Sequence, residues 1–150
     1  MPTIVIETAI AAARERCFDL ARDVRVHCAT ASFSAERVVA PGRLEGLLEE
    51  GDLVTFEGVH FAIRQRLTAH VTELRRPDRF VDEQLRGPFS ALRHIHEFEA
   101  TVDGTLMRDT LTWTAPFGLI GRLANPFLAH HLRSFVIRKQ QNLRLIAERG

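Results

Sequence analysis

Two histidines, His94 and His96, stand two residues apart in a segment of strand-like alternation, and Asp109 follows in the next such segment. Residues i and i+2 of a strand point to one face, so the two imidazoles share a face. Imidazole beside carboxylate can move protons near neutral pH and can ligate zinc or iron. The Asp103-Gly104 dipeptide between the segments predicts a type I′ hairpin, a turn that needs positive φ at both positions. A two-residue loop there sets Phe98 opposite Asp109, His96 opposite Leu111, His94 opposite Trp113 and Ala100 opposite Met107. The other face pairs Glu99 with Arg108 and Glu97 with Thr110, so it faces water. Gln65 joins the inner face from residues 62–74, where Ile63, Leu67, Ala69 and Val71 alternate with Arg64, Arg66, Thr68 and His70.

Four polar groups on an inner face would each cost roughly 1–3 kcal/mol if left without partners. Gln65, His94, His96 and Asp109 therefore imply a structural hydrogen-bond network, ordered water or an occupied pocket. The His-x-His pair with Asp109 has legal metal-ligand spacing, but no third histidine is securely placed. No metal, cofactor or catalytic residue is assigned.

Other constellations carry less. His130 and His131 are adjacent on a helix, pointing some 100° apart, and read as surface or pocket rim. Asp82 and Glu83 are strand neighbours on opposite faces, so only one can reach the interior. Ser32, Ser34 and Ser90 lack a nucleophile-elbow context. Gly118 and Gly121 are not a phosphate loop. Cys17 and Cys28 form no C-x-x-C and read as reduced thiols of a cytosolic protein.

The elements that must hold these residues follow from periodicity. Residues 3–7 are a short strand, Thr8 can cap a helix, and a weaker helix covers part of 24–32. Strands follow at 36–40, 53–61, 62–74, 80–85, 92–102 and 105–114, with a loop at 45–51. After Pro116 an apolar stripe runs to the end, broken at Asn125-Pro126, with Arg133, Arg138, Lys139 and Arg144 on its wet side. One strand, two short helices, six strands and a long helix make a single α+β domain over 1–150, with a seven-stranded antiparallel sheet. A curved sheet meeting one helix along a line leaves a cavity beside it.

Composition narrows the function. Twenty Lys and Arg against nineteen Asp and Glu give a net charge of +1. That balance excludes a dedicated nucleic-acid binder, and no apolar run is long enough for a membrane span. The N-terminus lacks a signal-peptide pattern, so a cytoplasmic location is expected.

The segments ERVVAPG at 36–42, GDLVTFEGVHFAIRQRLTAHVTEL at 51–74 and RPDRFVDEQLRGPF at 76–89 follow one another along the chain. HIHEFE at 94–99, GTLMRDTLTWTAPFGLIGRLA at 104–124 and the basic final helix complete the series. Through these segments the chain resembles the SRPBCC superfamily, the START and birch-pollen-allergen-like proteins of helix-grip fold. It is closest to bacterial single-domain members described as ligand-binding or polyketide cyclase-like, some of them labelled cell division inhibitors. Such members often carry an aromatic residue at the place of Leu92, and leucine there widens that end of the cavity.

The resemblance implies a cavity protein that binds a small, largely hydrophobic or amphipathic molecule. Phe61, Ile63, Leu67, Phe98, Met107, Leu111 and Trp113 are the expected apolar wall, and Gln65, His94, His96 and Asp109 the polar head site. Residues 41–51 and 118–127 would form the mouth. An alternative is a cyclase or dehydratase with a histidine beside Asp109 as general base. A third is an interaction protein using the acidic loop 45–52, or a homodimer through exposed apolar strand residues.

Overall fold

A computed structural model describes residues 1–149. Strand β1 (Thr3–Ile10) is followed by helices α1 (Arg14–Ala21) and α2 (Val24–Thr30) and a 3-10 turn at Ser32–Ser34. Six strands follow: β2 (Arg37–Val39), β3 (Leu53–His60), β4 (Ile63–Arg75), β5 (Arg79–Arg86), β6 (Ala91–Thr101) and β7 (Gly104–Thr114). The short helix α3 (Gly118–Leu123) leads into α4 (Asn125–Glu148), with Pro126 in the first turn of α4, where its missing N–H costs nothing. The strands form one antiparallel sheet in the order β1-β7-β6-β5-β4-β3-β2, so the N-terminal strand joins the end of the last hairpin. This is the expected α+β architecture, a seven-stranded sheet wrapped around a long C-terminal helix.

Local chemistry explains the short helices. Thr8 lies inside β1, and α1 begins after Ala13 with no side-chain cap. α2 begins at Asp23, whose carboxylate accepts from the Arg25 and Val26 N–H groups. α1 buries Phe18 completely, edge-on to Phe80 and Phe98 with ring centroids 5.4 and 5.3 Å away. Ile10, Met107, Leu143 and Ala147 close this aromatic core.

The β6–β7 register differs from the expected one. Thr101 pairs with Gly104, so Val102 and Asp103 form the loop, and Asp109 lies opposite His96 rather than Phe98. Gly104 serves a close approach instead of the turn: a Cβ there would strike the backbone of Ile10 and Ala12. The slip moves each partner by two residues, so every side chain keeps its face.

The acidic loop is tied down internally. Asp52 holds Arg43, Glu49 holds Arg22, and the Glu50 carboxylate accepts from the Leu74 N–H. On the outer face of β3, Glu57 is ringed by Arg37, Arg64 and Arg66, and hydrogen bonds from Arg66 and Arg37 bring its pKa down to about 2. No helix among the described residues is long and apolar enough to cross a membrane.

Phe18 anchors α1 to the sheet, so Phe18→Ala leaves a void in a closed core. The expected loss is about 3–5 kcal/mol in urea unfolding. A loss below about 1 kcal/mol would mean that α1 is not part of the cooperative core.

Candidate functional site

The sheet curves away from α4 and leaves a cavity of about 530 Å³, within the roughly 300–1,000 Å³ of small-molecule sites. Most of its wall is apolar, with Val54, Phe56, Leu111, Leu132, Phe135 and Val136 among the lining residues. Of the expected set, Phe61, Gln65, Leu67, His94, His96, Asp109 and Leu111 line it. Phe98 and Trp113 instead lie fully packed in the core, and Met107 touches only a small adjoining void. Ile63 is 61 % exposed: it is the first residue of β4, directly after the positive-φ turn residues Phe61 and Ala62, at the end of the face that Gln65 and Leu67 continue into the cavity.

The mouth also differs. Pro116, Phe117, Ile120, Gly121 and Ala124 from α3 and its approach line it, but of residues 41–51 only the buried Leu48 reaches the cavity. Phe61 stacks on Phe127 at 5.2 Å and lies 4.3 Å from the His131 ring.

A charged network stands at the polar side. His96 Nε2 lies 2.8 Å from Asp82 Oδ2, and its Nδ1 lies 3.0 Å from Asp109 Oδ1. Burial opposes the charged ring, yet the hydrogen bonds to Asp109 and Asp82 win and raise its pKa to about 9. His96 is therefore an imidazolium at neutral pH, donating from both nitrogens. Burial also pushes Asp109 and Asp82 up, but the histidine partners hold both below their ordinary values.

His94 stacks on His96 at 3.7 Å, and Phe80 stacks on the opposite side of His96 at 4.1 Å. Burial and the neighbouring positive charge lower the His94 pKa, so this ring is neutral. Its Nε2 lies 3.1 Å from Asp109 Oδ1, a carboxylate oxygen that can only accept, which assigns the proton to Nε2. Nδ1 is then a bare lone pair with no partner among the described residues, on a residue of the cavity wall. Gln140 of α4 donates to Asp109 Oδ2 at 2.6 Å and to the Ile6 carbonyl, and accepts from the Thr8 hydroxyl at 2.6 Å.

Asp82, His94 and His96 each offer an atom within 4.8 Å of one another. A metal there would need a lone pair on His96, whose two nitrogens both carry protons toward carboxylates. The arrangement suits proton chemistry and polar recognition better than metal ligation.

Three residues of the cavity wall, and Gln140 of the adjoining void, are not among the expected set. Asp82, rather than Glu83, is the member of its pair that turns inward; bulges between Thr68 and Glu73 in β4 hide that register. Lys139 lines the cavity instead of the wet face. It stands three residues after Val136 and four before Leu143, so the apolar stripe itself marks it as inward. Gln140, beside it, is buried for the same reason. Glu36 lies against Gly58, where a Cβ would collide with its carboxylate; a glycine inside a strand is the readable signal of such an approach. Burial raises the Glu36 pKa, and Ser34 donates to it at 3.1 Å. Nearby, His60 Nδ1 and His131 Nε2 lie 3.0 Å apart, and burial lowers both pKa values.

An antiparallel sheet gripping one long helix over an internal cavity defines a helix-grip protein. Solved structures of the same shape share this fold. TTHA0849 from Thermus thermophilus superposes with a TM-score of 0.80 at 20 % identity, over 99 % of this chain and all of that one. The major latex-like protein 151 of Panax ginseng gives 0.66 at 8 % identity over 97 % of both chains. The two-domain ARO/CYC StfQ of the steffimycin biosynthetic pathway gives 0.74 at 13 % identity, over 98 % of this chain and 50 % of that one. No family model matches the sequence, and no curated protein matches it.

The His96 charge makes stability pH-dependent with a defined sign. Below about pH 6.5 folded and unfolded chains both hold the proton, and the imidazolium contributes fully. Between about 6.5 and 9 only the folded chain holds it, so up to about 3 kcal/mol is lost as pH rises. His96→Gln is expected to cost about 3–5 kcal/mol at pH 6.5, because two buried carboxylates lose their cation. The gap between wild type and variant should shrink towards pH 9 in urea titrations; a constant gap would place the proton elsewhere.

Proposed function

We propose that the protein binds a small, largely hydrophobic molecule in the cavity between the sheet and α4. The observation that carries this reading is the cavity itself: apolar over most of its wall, with its polar groups gathered in a few places. Such a site gains affinity from apolar contact and orientation from the polar groups. The fold shared with a major latex-like protein and with an ARO/CYC of the steffimycin biosynthetic pathway supports this reading.

A neutral environment-sensitive dye such as Nile red tests it. The dye should bind wild type with a blue-shifted emission, and native mass spectrometry should find co-purified small molecules lost on denaturation. Leu128→Trp, which puts an indole into the cavity, should weaken dye binding about tenfold or more. Equal binding by both proteins would move the dye, and the proposed site, out of the cavity.

A second reading, a cyclase or dehydratase-type enzyme, rests on His94. A neutral imidazole whose Nε2–H is held by a carboxylate, with a bare Nδ1 in a low-dielectric pocket, has the form of a general base. With 5-nitrobenzisoxazole as a proton-abstraction probe, His94→Ala should lower the rate by about 10²-fold while dye affinity changes little. Equal rates for wild type and variant would remove the base.

A further inference from the structure

Lys139 is the only lysine of the chain, which otherwise uses arginine at all nineteen cationic positions. Its side chain lines the cavity wall and also borders the small void beside His27, His96, Asp109 and Gln140. No hydrogen bond or ion pair reaches its ammonium among the described residues; Asp109, Asp82 and Glu36 act on it only through space. Their positions are explained by other partners. Asp109 takes hydrogen bonds from His94, His96 and Gln140, Asp82 from His96, and Glu36 from Ser34. A cation in an apolar cavity with no hydrogen-bonding partner is unfavourable, and buried charges are ordinarily paired.

We propose that Lys139 is the anchor for the acid group of an amphipathic ligand, a carboxylate on a largely apolar body. This rests on the binding reading above and names its ligand class. The tail lies along the Phe56, Leu67, Leu111 and Leu132 wall, and the carboxylate meets the one cation of the cavity that lacks a hydrogen-bonding partner among the described residues. The residue type fits the task. A guanidinium would stay charged in the empty cavity, whereas an amine, whose proton affinity burial lowers, tolerates the empty state and forms a compact ion pair when an acid enters. His96 cannot do this, since both its nitrogens are already engaged. His94 cannot either, since its free nitrogen is an acceptor.

Matched twelve-carbon probes test the proposal through displacement of Nile red at pH 7. Dodecanoate should bind wild type about tenfold or more tightly than dodecanol, the gain expected of a charge-assisted hydrogen bond. Lys139→Met should bring the two probes close to equal by weakening dodecanoate alone, and Lys139→Arg should restore the preference in part. Equal affinities in wild type, a preference for dodecylammonium, or a preference unchanged in Lys139→Met would each overturn the acid anchor while leaving the cavity reading intact. Failure of dye, acid and alcohol alike to bind would overturn both. The wild-type comparison alone decides the matter if a variant does not fold.

Discussion

Two aspartates facing one another across an apolar interior are tolerable only with a positive group between them, and here that group is the His96 imidazolium. Asp82 comes from β5, His96 from β6 and Asp109 from β7, so one ionic contact locks three neighbouring strands at a single level. Gln140 carries the lock into α4, and Thr8 carries it into β1. Hydrogen bonds to charged partners contribute more than neutral ones, and removing one member leaves a buried charge alone. The same contact sets the state of its neighbour. Burial and the positive His96 stacked on it keep His94 neutral, and because Asp109 can only accept, His94 keeps its proton on Nε2.

This network also divides the interior. Phe18, Phe80 and Phe98 pack as a closed aromatic core, Phe80 stacks on His96, and His94 stacks on the far side of His96. The histidine column thus stands where dense core gives way to open cavity. Hydrogen bonds hold the C-terminal half of α4: Gln140 to the sheet, Asn142 to the Thr30 carbonyl, and Arg16 to the Ala147 carbonyl. Its N-terminal half meets the rest of the fold through ring contacts, Phe61 with Phe127 and Phe33 with Phe135, and through the His60–His131 pair. Ring contacts are less directional than hydrogen bonds, so this end of the cavity is held less rigidly than the Gln140 end.

The fold was legible because strand runs, the Asn125-Pro126 break and the long apolar stripe are all local signals. The faces of β6 and β7 were legible even though their register was not, since a slip of two residues leaves side-chain parity intact. The partners were not: Asp109 faces His96 because Gly104 answers to the backbone of β1, a contact made by residues over ninety positions apart. Asp82 was hidden by bulges, which no alternation pattern reveals. Lys139 and Gln140 were readable in principle, as polar residues interrupting an i, i+3, i+7 stripe. A lysine on a helix is usually solvated, so residue type pulled against the stripe, and the structure resolves the conflict in favour of the cavity wall.

Carriage and catalysis make nearly the same demands on this site. A largely apolar cavity favours a hydrophobic guest, and burial beside it lowers the His94 pKa and keeps its Nδ1 unprotonated at neutral pH. A base in such a cavity is idle against a saturated chain, because no acidic hydrogen is brought to it. It becomes a catalyst only when the guest presents an O–H or an activated C–H to Nδ1 within about 3 Å. An acid head drawn to α4 by Lys139 would fix how the rest of the guest lies along the wall. Which group then meets His94 is a property of the guest's length and oxidation pattern, so the boundary between carrier and enzyme runs through the ligand rather than through the protein.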